Sequence, residues 1–314
     1  MSSQSTLAPG SGWVKVRASG KVNLALRVGA PRDDGYHPLA TVFQALSLFD
    51  DVGVRDAEAG AYTVRVVGAQ ADLVPTDATN LAVKAARLLA HHHGGAERRG
   101  AEIVIRKTIP VTGGMAGGSA NAAATLVACT ELWGIDVSPD ELAGLGAQLG
   151  ADVPFSLRGA TALGTGRGDE LVPVLSRGSY HWVLALPDAE LSTPAVFRRF
   201  DEMNPDAPAV PPQVSPRLLE GLVCGDIQTV AAHLVNDLEP AALSLRPQLV
   251  DVLDAGRECG ALAGIVSGSG PTCAFLAANE DAAVRLSVAL SGLGLCRAVR
   301  RASGPVPGAR LQAS

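Results

Sequence analysis

Pro110-Val-Thr-Gly-Gly-Met-Ala-Gly-Gly-Ser-Ala-Asn-Ala-Ala-Ala124 is the stretch from which this chain is best read. It carries no charge, and glycine stands at Gly113, Gly114, Gly117 and Gly118. The run before it alternates, with Ile103 and Ile105 against Val104 and Arg106, and reads as a strand. The Ala-rich run after it, to Trp133, reads as a helix with Gly134 as its stop. A strand, a glycine loop and a helix start form a cradle for phosphate. Glycines let the backbone approach a ligand, and the first helical turn offers free N–H groups beside a partial positive charge. A tight turn between packed elements would also use glycine, but four glycines so close together with Ser119 at the helix start favour phosphate. Neither Gly-x-x-x-x-Gly-Lys-Ser/Thr nor Gly-x-Gly-x-x-Gly occurs in this loop. The anion must then be held by backbone and dipole, with any cation supplied from elsewhere in the chain.

The 314 residues suit two domains of ordinary size. We divide them at residues 1–158, carrying the phosphate loop, and 159–314, where short strands and Pro-led helices take over. With 47% hydrophobic and 18% charged residues the composition is that of a globular protein. A net charge of -5 argues against a broad basic surface for nucleic acid. No apolar run approaches the ~20 residues that a membrane helix needs. Met1 to Gly12 lacks the basic and apolar segments of a signal peptide and reads as a frayed tail. Cys129, Cys224, Cys259, Cys273 and Cys296 are scattered and unpaired in pattern, as in reduced cytoplasmic proteins. His91, His92 and His93 end a helix before Gly94-Gly95; they read as dipole-compatible residues, with a metal tract as the alternative.

Upstream, Trp13 to Leu26 reads as an extended segment with Ser19, Lys21 and Asn23 on one face and Val22, Leu24 and Leu26 on the other. The polar row is either solvent-facing or functional. Pro31 to His37 is turn-rich, and its Tyr36-His37 tip could stack on a planar ring. Thr41–Leu48, Val52–Arg55 and Tyr62–Val67 read as strands, and Asn80–His92 as a helix buried along Leu81, Ala85, Leu88 and Leu89. Ser138-Pro-Asp-Glu141 is a capping box opening a helix that stops at Gly150. Asp152, between that stop and Pro154, forms an Asx turn or serves as a base for a hydroxyl nucleophile. Beyond Gly159, strands at Thr161–Leu163, Leu171–Val174 and His181–Leu186 lead to helices from Thr193, Pro216, Asp226 and Pro247. Pro205 to Pro212 is a proline-heavy connector. A second glycine loop, Ser267-Gly-Ser-Gly-Pro271, lies between strands at Gly264–Val266 and Cys273–Leu276. A helix from Asp281 and a strand at Ala298–Arg300 complete an α+β pattern.

Several stretches taken together resemble the GHMP kinases. Pro110–Ala123 looks like their second motif and Ser267–Cys273 like their third. Gly20-Lys-Val-Asn-Leu24, Asp34-Gly-Tyr-His37 and Gly150-Ala-Asp-Val-Pro-Phe155 narrow the likeness to one branch, over about Val14 to Arg300. That resemblance implies a two-domain architecture, ribosomal protein S5 domain 2-like at the N-terminus and ferredoxin-like at the C-terminus. It also implies phosphoryl transfer from ATP, with Mg²⁺ expected, to the 2-hydroxyl of a cytidine-linked methylerythritol, a small-molecule substrate. Carried over by position, Asp152 would be the base and Lys21 its partner, and Asn23 would help hold the substrate. Tyr36 and His37 would meet the cytosine, with Phe197 closing it from the other face. Val111 to Asn121, with Met115 and Ala120 between, would hold the phosphates, and Asn80-Leu81 would lie near the adenine. Ser119 is a candidate for the metal, for which no carboxylate ligand can be named.

Thr112 and Ala116 stand where many family members have glycine, and a Cβ restricts positive φ there. The rival readings are a GHMP kinase for mevalonate, homoserine or a sugar, and a silent protein that only binds nucleotide. Intact Lys21 and Asp152 argue against the second. A dinucleotide oxidoreductase lacks its fingerprint in this loop.

Overall fold

The structure is a computed structural model that describes residues 12–33, 35–68, 70–95, 97–188, 190–205 and 211–313. The frayed-tail reading of Met1 to Gly12, all but its last residue, lies outside the described residues, as do Asp34 and most of the Pro205–Pro212 connector.

The chain opens with two long strands, β1 (Val14–Val28) and β2 (Leu39–Asp56), followed by β3 (Tyr62–Gly68), α1 (Leu81–His92) and β4 (Ala101–Lys107). Next come the helices α2 (Gly117–Trp133), α3 (Pro139–Leu149) and α4 (Val153–Arg158), then strands β5 (Thr161–Thr165), β6 (Glu170–Pro173) and β7 (Tyr180–Leu186). Helices α5 (Thr193–Met203), α6 (Pro216–Cys224) and α7 (Ile227–Ala232), strand β8 (Val235–Asn236), and helices α8 (Glu239–Leu245) and α9 (Gln248–Glu258) follow. Strands β9 (Ala263–Val266) and β10 (Cys273–Ala277), helix α10 (Glu280–Gly292), and strands β11 (Ala298–Gly304) and β12 (Arg310–Leu311) complete it.

The first sheet runs β12-β1-β2-β4-β3, with β5 and β6 continuing from β2 and β8 pairing beside β1. Strands β5 and β6 follow residue 158 and still join this sheet. The second sheet runs β11-β7-β10-β9, all antiparallel. In chain order that is fourth, first, third, second, with helices after the first and third strands, the βαββαβ path of a ferredoxin-like unit. The two sheets meet where the Trp182 indole of β7 donates to Gln44 of β2 at 3.0 Å.

Most elements lie where the residue pattern puts them. Asn80 and Ser138 accept from Ala82 and Glu141 backbone N–H as N-caps, and Gly134 ends α2 in the left-handed region at φ 59°. Two strands expected at Thr41–Leu48 and Val52–Arg55 are one strand, β2. Asp50 interrupts the apolar alternation yet is fully buried: it accepts from Thr108 and Ile109 backbone N–H at 2.6 and 2.9 Å and pairs with Lys107. The charge lying between the two expected strands is a buried partner. Helices α4 and α8 and strands β8 and β12 have two to seven residues and leave too short a periodic signal to read.

Helix α2 is the centre of the first core. Ala120, Ala122, Ala123, Ala124, Leu126 and Ala128 are inaccessible, so the helix is apolar nearly all round, as a helix covered on most sides must be. Its small side chains let it lie close on β1 and β2. That closeness aims its N-terminus, the glycine loop, at the polar row of β1.

Candidate active site

Ser19, Lys21 and Asn23 are all buried, at 3%, 5% and 2% exposure, so the row does not face solvent. Lys21 and Asn23 share a face two residues apart, and irregularities in the β1–β2 register flank them at Ser19/Gly20 and Asn23/Ala25. The Lys21 ammonium donates to Asn23 Oδ1 at 2.7 Å and to the Gly114 carbonyl at 2.8 Å. Asn23 donates in turn to Thr41 Oγ1 at 2.8 Å, so its orientation is set from β2.

The two glycine loops touch at the same point. The Ser267 hydroxyl donates to the Gly114 carbonyl at 3.2 Å, and Gly114 sits at φ +69° with its missing side chain directed at the Ser267 carbonyl, 1.9 Å from where a Cβ would be. Asn236 of β8 supports the second loop by donating to the Val266 and Gly268 carbonyls at 2.8 and 2.7 Å. Thr112 and Ala116 both adopt positive φ, 54° and 57°, so the chain takes up glycine-like conformations with residues that have a Cβ. Ala116 is the N-cap of α2, offers no side-chain cap, and no acidic residue follows in the first turn. The N–H groups there have no side-chain cap, an arrangement that suits an anion. Beneath them Lys107 and Asp50 form a buried ion pair, and Asn121 donates to the same carboxylate at 2.8 Å.

Asp152 caps no helix with its side chain, although it immediately precedes α4, so the Asx reading is not realised. It lines the same cavity as Lys21, the glycine loop, Asn80 and Phe197, with a volume of ≈ 480 Å³. Burial pulls the Lys21 ammonium below the ordinary lysine range, and the Asp152 charge opposes that shift. The two groups therefore feel each other within one enclosed site.

Of the residues expected to hold nucleotide, Asn80, Leu81, Val111 to Gly118 and Asn121 line the cavity, whereas Ser119 and Ala120 are not among its lining residues. Phe197 also lines it, and the His37 ring lies 4.9 Å from the Phe197 ring, fixed by a 2.7 Å hydrogen bond to Asp201. Tyr36 is 55% exposed and faces the Arg167 guanidinium, 5.5 Å from its ring centre. The structure thus brings His37, and not Tyr36, against Phe197. Sequence reasoning passed over Thr41, Phe43, Lys107, Arg167, Thr193 and Ser269, which also line the cavity. Arg167, in Gly164-Thr-Gly-Arg-Gly168, was the most findable, being a cation inside a glycine-rich turn. Thr193 and Ser269 join their hydroxyls at 2.8 Å, tying the start of α5 to the second loop.

Family models for the GHMP kinases N terminal domain and the GHMP kinases C terminal match residues 80–160 and 218–294. A protein from Rhodococcus jostii (strain RHA1) named 4-diphosphocytidyl-2-C-methyl-D-erythritol kinase is 59% identical over 300 residues, covering 95% of this chain and 94% of its own. A crystal structure of 4-(cytidine 5'-diphospho)-2C-methyl-D-erythritol kinase superposes with a TM-score of 0.73 at 32% identity, over 92% of this chain and 98% of that one. A homoserine kinase structure from Cytophaga hutchinsonii gives a TM-score of 0.74 at 19% identity, over 98% and 99%, which shows that the fold is shared. With buried lysine, paired glycine loops and both family domains in place, the chain belongs to the GHMP kinases.

Proposed function

We infer that this kinase transfers the γ-phosphoryl group of ATP to the 2-hydroxyl of 4-diphosphocytidyl-2-C-methyl-D-erythritol, a step of the non-mevalonate route to isoprenoid precursors. The observation that carries the reading is the single cavity holding Lys21, Asp152 and the N-terminus of α2. The name borne by a relative 59% identical supplies the acceptor.

Phosphoryl transfer depends on positioning and charge stabilisation. Loop and helix N–H groups would hold the β- and γ-phosphate oxygens. Lys21, already bonded to the loop through Gly114, would follow the charge onto the transferring group. Asp152 would accept the hydroxyl proton, an effect of roughly 10²–10⁴-fold. Lys21, whose charge the Asp152 carboxylate favours, would sit beside that carboxylate as its electrostatic partner. Phe197 and the Asp201-held His37 would form the aromatic wall for the cytosine, with Tyr36 and Arg167 at its rim.

Asp152 is the one carboxylate among the described residues lining the cavity. Such a donor set suits Mg²⁺ carried mainly by nucleotide phosphates and water, with Asp152 nearby and Ser119 a remoter candidate. Bound there, the ion would neutralise charge on the β- and γ-phosphates.

In this reading residues 1–158 supply the phosphate loop and residues 159–314 the substrate-side wall through Phe197, while β5 and β6 share the first sheet. Small molecules are its partners, and five free cysteines support a cytoplasmic setting. No described helix is long and apolar enough to cross a membrane. The test is a phosphate-transfer assay with ATP and 4-diphosphocytidyl-2-C-methyl-D-erythritol beside mevalonate and homoserine. Turnover of either of the last two above the first would overturn the assignment.

A further inference from the structure

Away from the cavity, at the other end of α1, two imidazoles and a carboxylate converge. His92 is the last residue of α1 and His93 its C-cap. Neighbouring residues inside a helix point in different directions, but His93 leaves helical geometry at φ -97°, ψ 27°, and the two rings come within 5.2 Å. Both direct Nε2 at Glu141 in the first turn of α3, at 3.2 and 3.7 Å. The three ligand atoms lie within 4.8 Å of one another. Tetrahedral zinc with bonds of about 2.0–2.1 Å places its ligand atoms roughly 3.3–3.4 Å apart.

The hydrogen bond between His92 and Glu141 accounts for one ring and leaves the other unexplained. His93 Nε2 is buried and has no hydrogen-bond partner, an arrangement that proteins rarely tolerate. One cation between the three would satisfy it. The His92 side chain is 48% exposed, so the site is open on one side for entry and for a bound water.

We propose that His92, His93 and Glu141 form a site for a divalent cation of the zinc class. Neutral imidazoles binding through Nε2, one carboxylate and a water make a four-coordinate set that suits zinc; magnesium prefers all-oxygen shells. The cation ties the C-terminal end of α1 to the N-terminal end of α3. Helix α1 begins beside Asn80 and Leu81 on the cavity wall, and α3 ends at Gly150, just ahead of Asp152. The brace therefore joins the helices whose far ends carry the nucleotide wall and the candidate base. That link to catalysis rests on the proposed function, whereas the metal site itself does not.

The test is titration of chelator-treated, dialysed full-length protein with ZnCl₂ by calorimetry and with CoCl₂ by visible absorption. One equivalent binds, and the cobalt spectrum shows nitrogen and oxygen ligation without a thiolate charge-transfer band. Glu141→Gln and His93→Ala each weaken zinc binding at least about tenfold, the least that losing even a supporting partner of a metal ligand costs. His91→Ala, beside Tyr62 and Arg87 on another face, and Cys224→Ser, an exposed thiol, leave it unchanged. Circular dichroism reports whether each variant is folded. Should a variant unfold, thermal melting of the parent protein decides: saturating zinc raises its Tm. Absence of binding, a thiolate band, unaltered affinity in folded Glu141→Gln, or an unmoved Tm overturns the proposal.

Discussion

The Lys21 ammonium is hydrogen-bonded to the Gly114 carbonyl at 2.8 Å, so the cation contributed by β1 is physically tied to the glycine loop. Lys21 is also held below the ordinary lysine range by burial. It therefore loses its proton at a lower pH than an exposed lysine, and activity should decline on an alkaline limb that lies below pH 10.5. Lys21→Arg, if it retains turnover, moves that limb upward, because a guanidinium does not titrate there. A pH–kcat/KM profile checks this, and an unmoved limb would assign it to another group. The linked sign for stability is that the unfolded chain binds this proton more tightly. This lysine's contribution to stability accordingly grows as pH rises from its lowered value towards 10.5.

Asp152 makes no capping bond through its side chain, so Asp152→Asn should melt like the parent protein. Its kcat should fall by roughly 10²–10⁴-fold, the usual contribution of a positioned base. Steady-state kinetics with both substrates saturating measure it. Near-normal turnover would remove Asp152 from the proton transfer.

Gly114→Ala places a Cβ 1.9 Å from the Ser267 carbonyl at a backbone with φ +69°. Backbone meets backbone there, so neither side can yield cheaply, and a loss of at least ~2 kcal/mol is expected. Gly118→Ala meets only Leu81 Cδ1 at 3.4 Å and should cost far less. In the other direction, Ala116→Gly at φ 57° relieves left-handed strain and should stabilise by up to ~1 kcal/mol. Denaturant unfolding of the three variants gives the order.

Asp50→Asn removes the charge partner of Lys107 while both groups are buried. Stranding a buried cation costs about 3–5 kcal/mol. Adding Lys107→Met should recover a large part of that loss, because an apolar side chain carries no desolvation penalty. A double-mutant cycle by denaturant titration reads the coupling; additive effects would show that the pair does not act as a unit.

Phe197→Ala should raise KM for the cytidine-bearing substrate several-fold, matching the ~0.5–1.5 kcal/mol of an aromatic contact, with KM for ATP unchanged. Tyr36→Ala should act in the same direction. Equal shifts for both substrates would make these rings structural.

Much of this was legible in the residues alone. The glycine loop, the caps at Asn80 and Ser138, the stop at Gly134 and the α+β alternation are local signals, each written within a few positions. The burial of Asp50 was not, since the backbone N–H groups that donate to it lie 58 and 59 residues away. The ring that faces Phe197 could not be chosen from Tyr36-His37 as a dipeptide. Asp201, 164 residues from His37, makes that choice by anchoring the imidazole.

By itself, then, the order of residues determined which segments could cradle a phosphate and which side chains could move a proton, because backbone freedom and helix ends depend on immediate neighbours. Tertiary structure decided that Lys21 is buried, that it bonds a carbonyl 93 residues away, and that a second glycine loop 153 residues further on grips the same carbonyl. Burial and charge pairing are properties of the enclosed space, and only the packing of α2 against β1 and β2 creates that space.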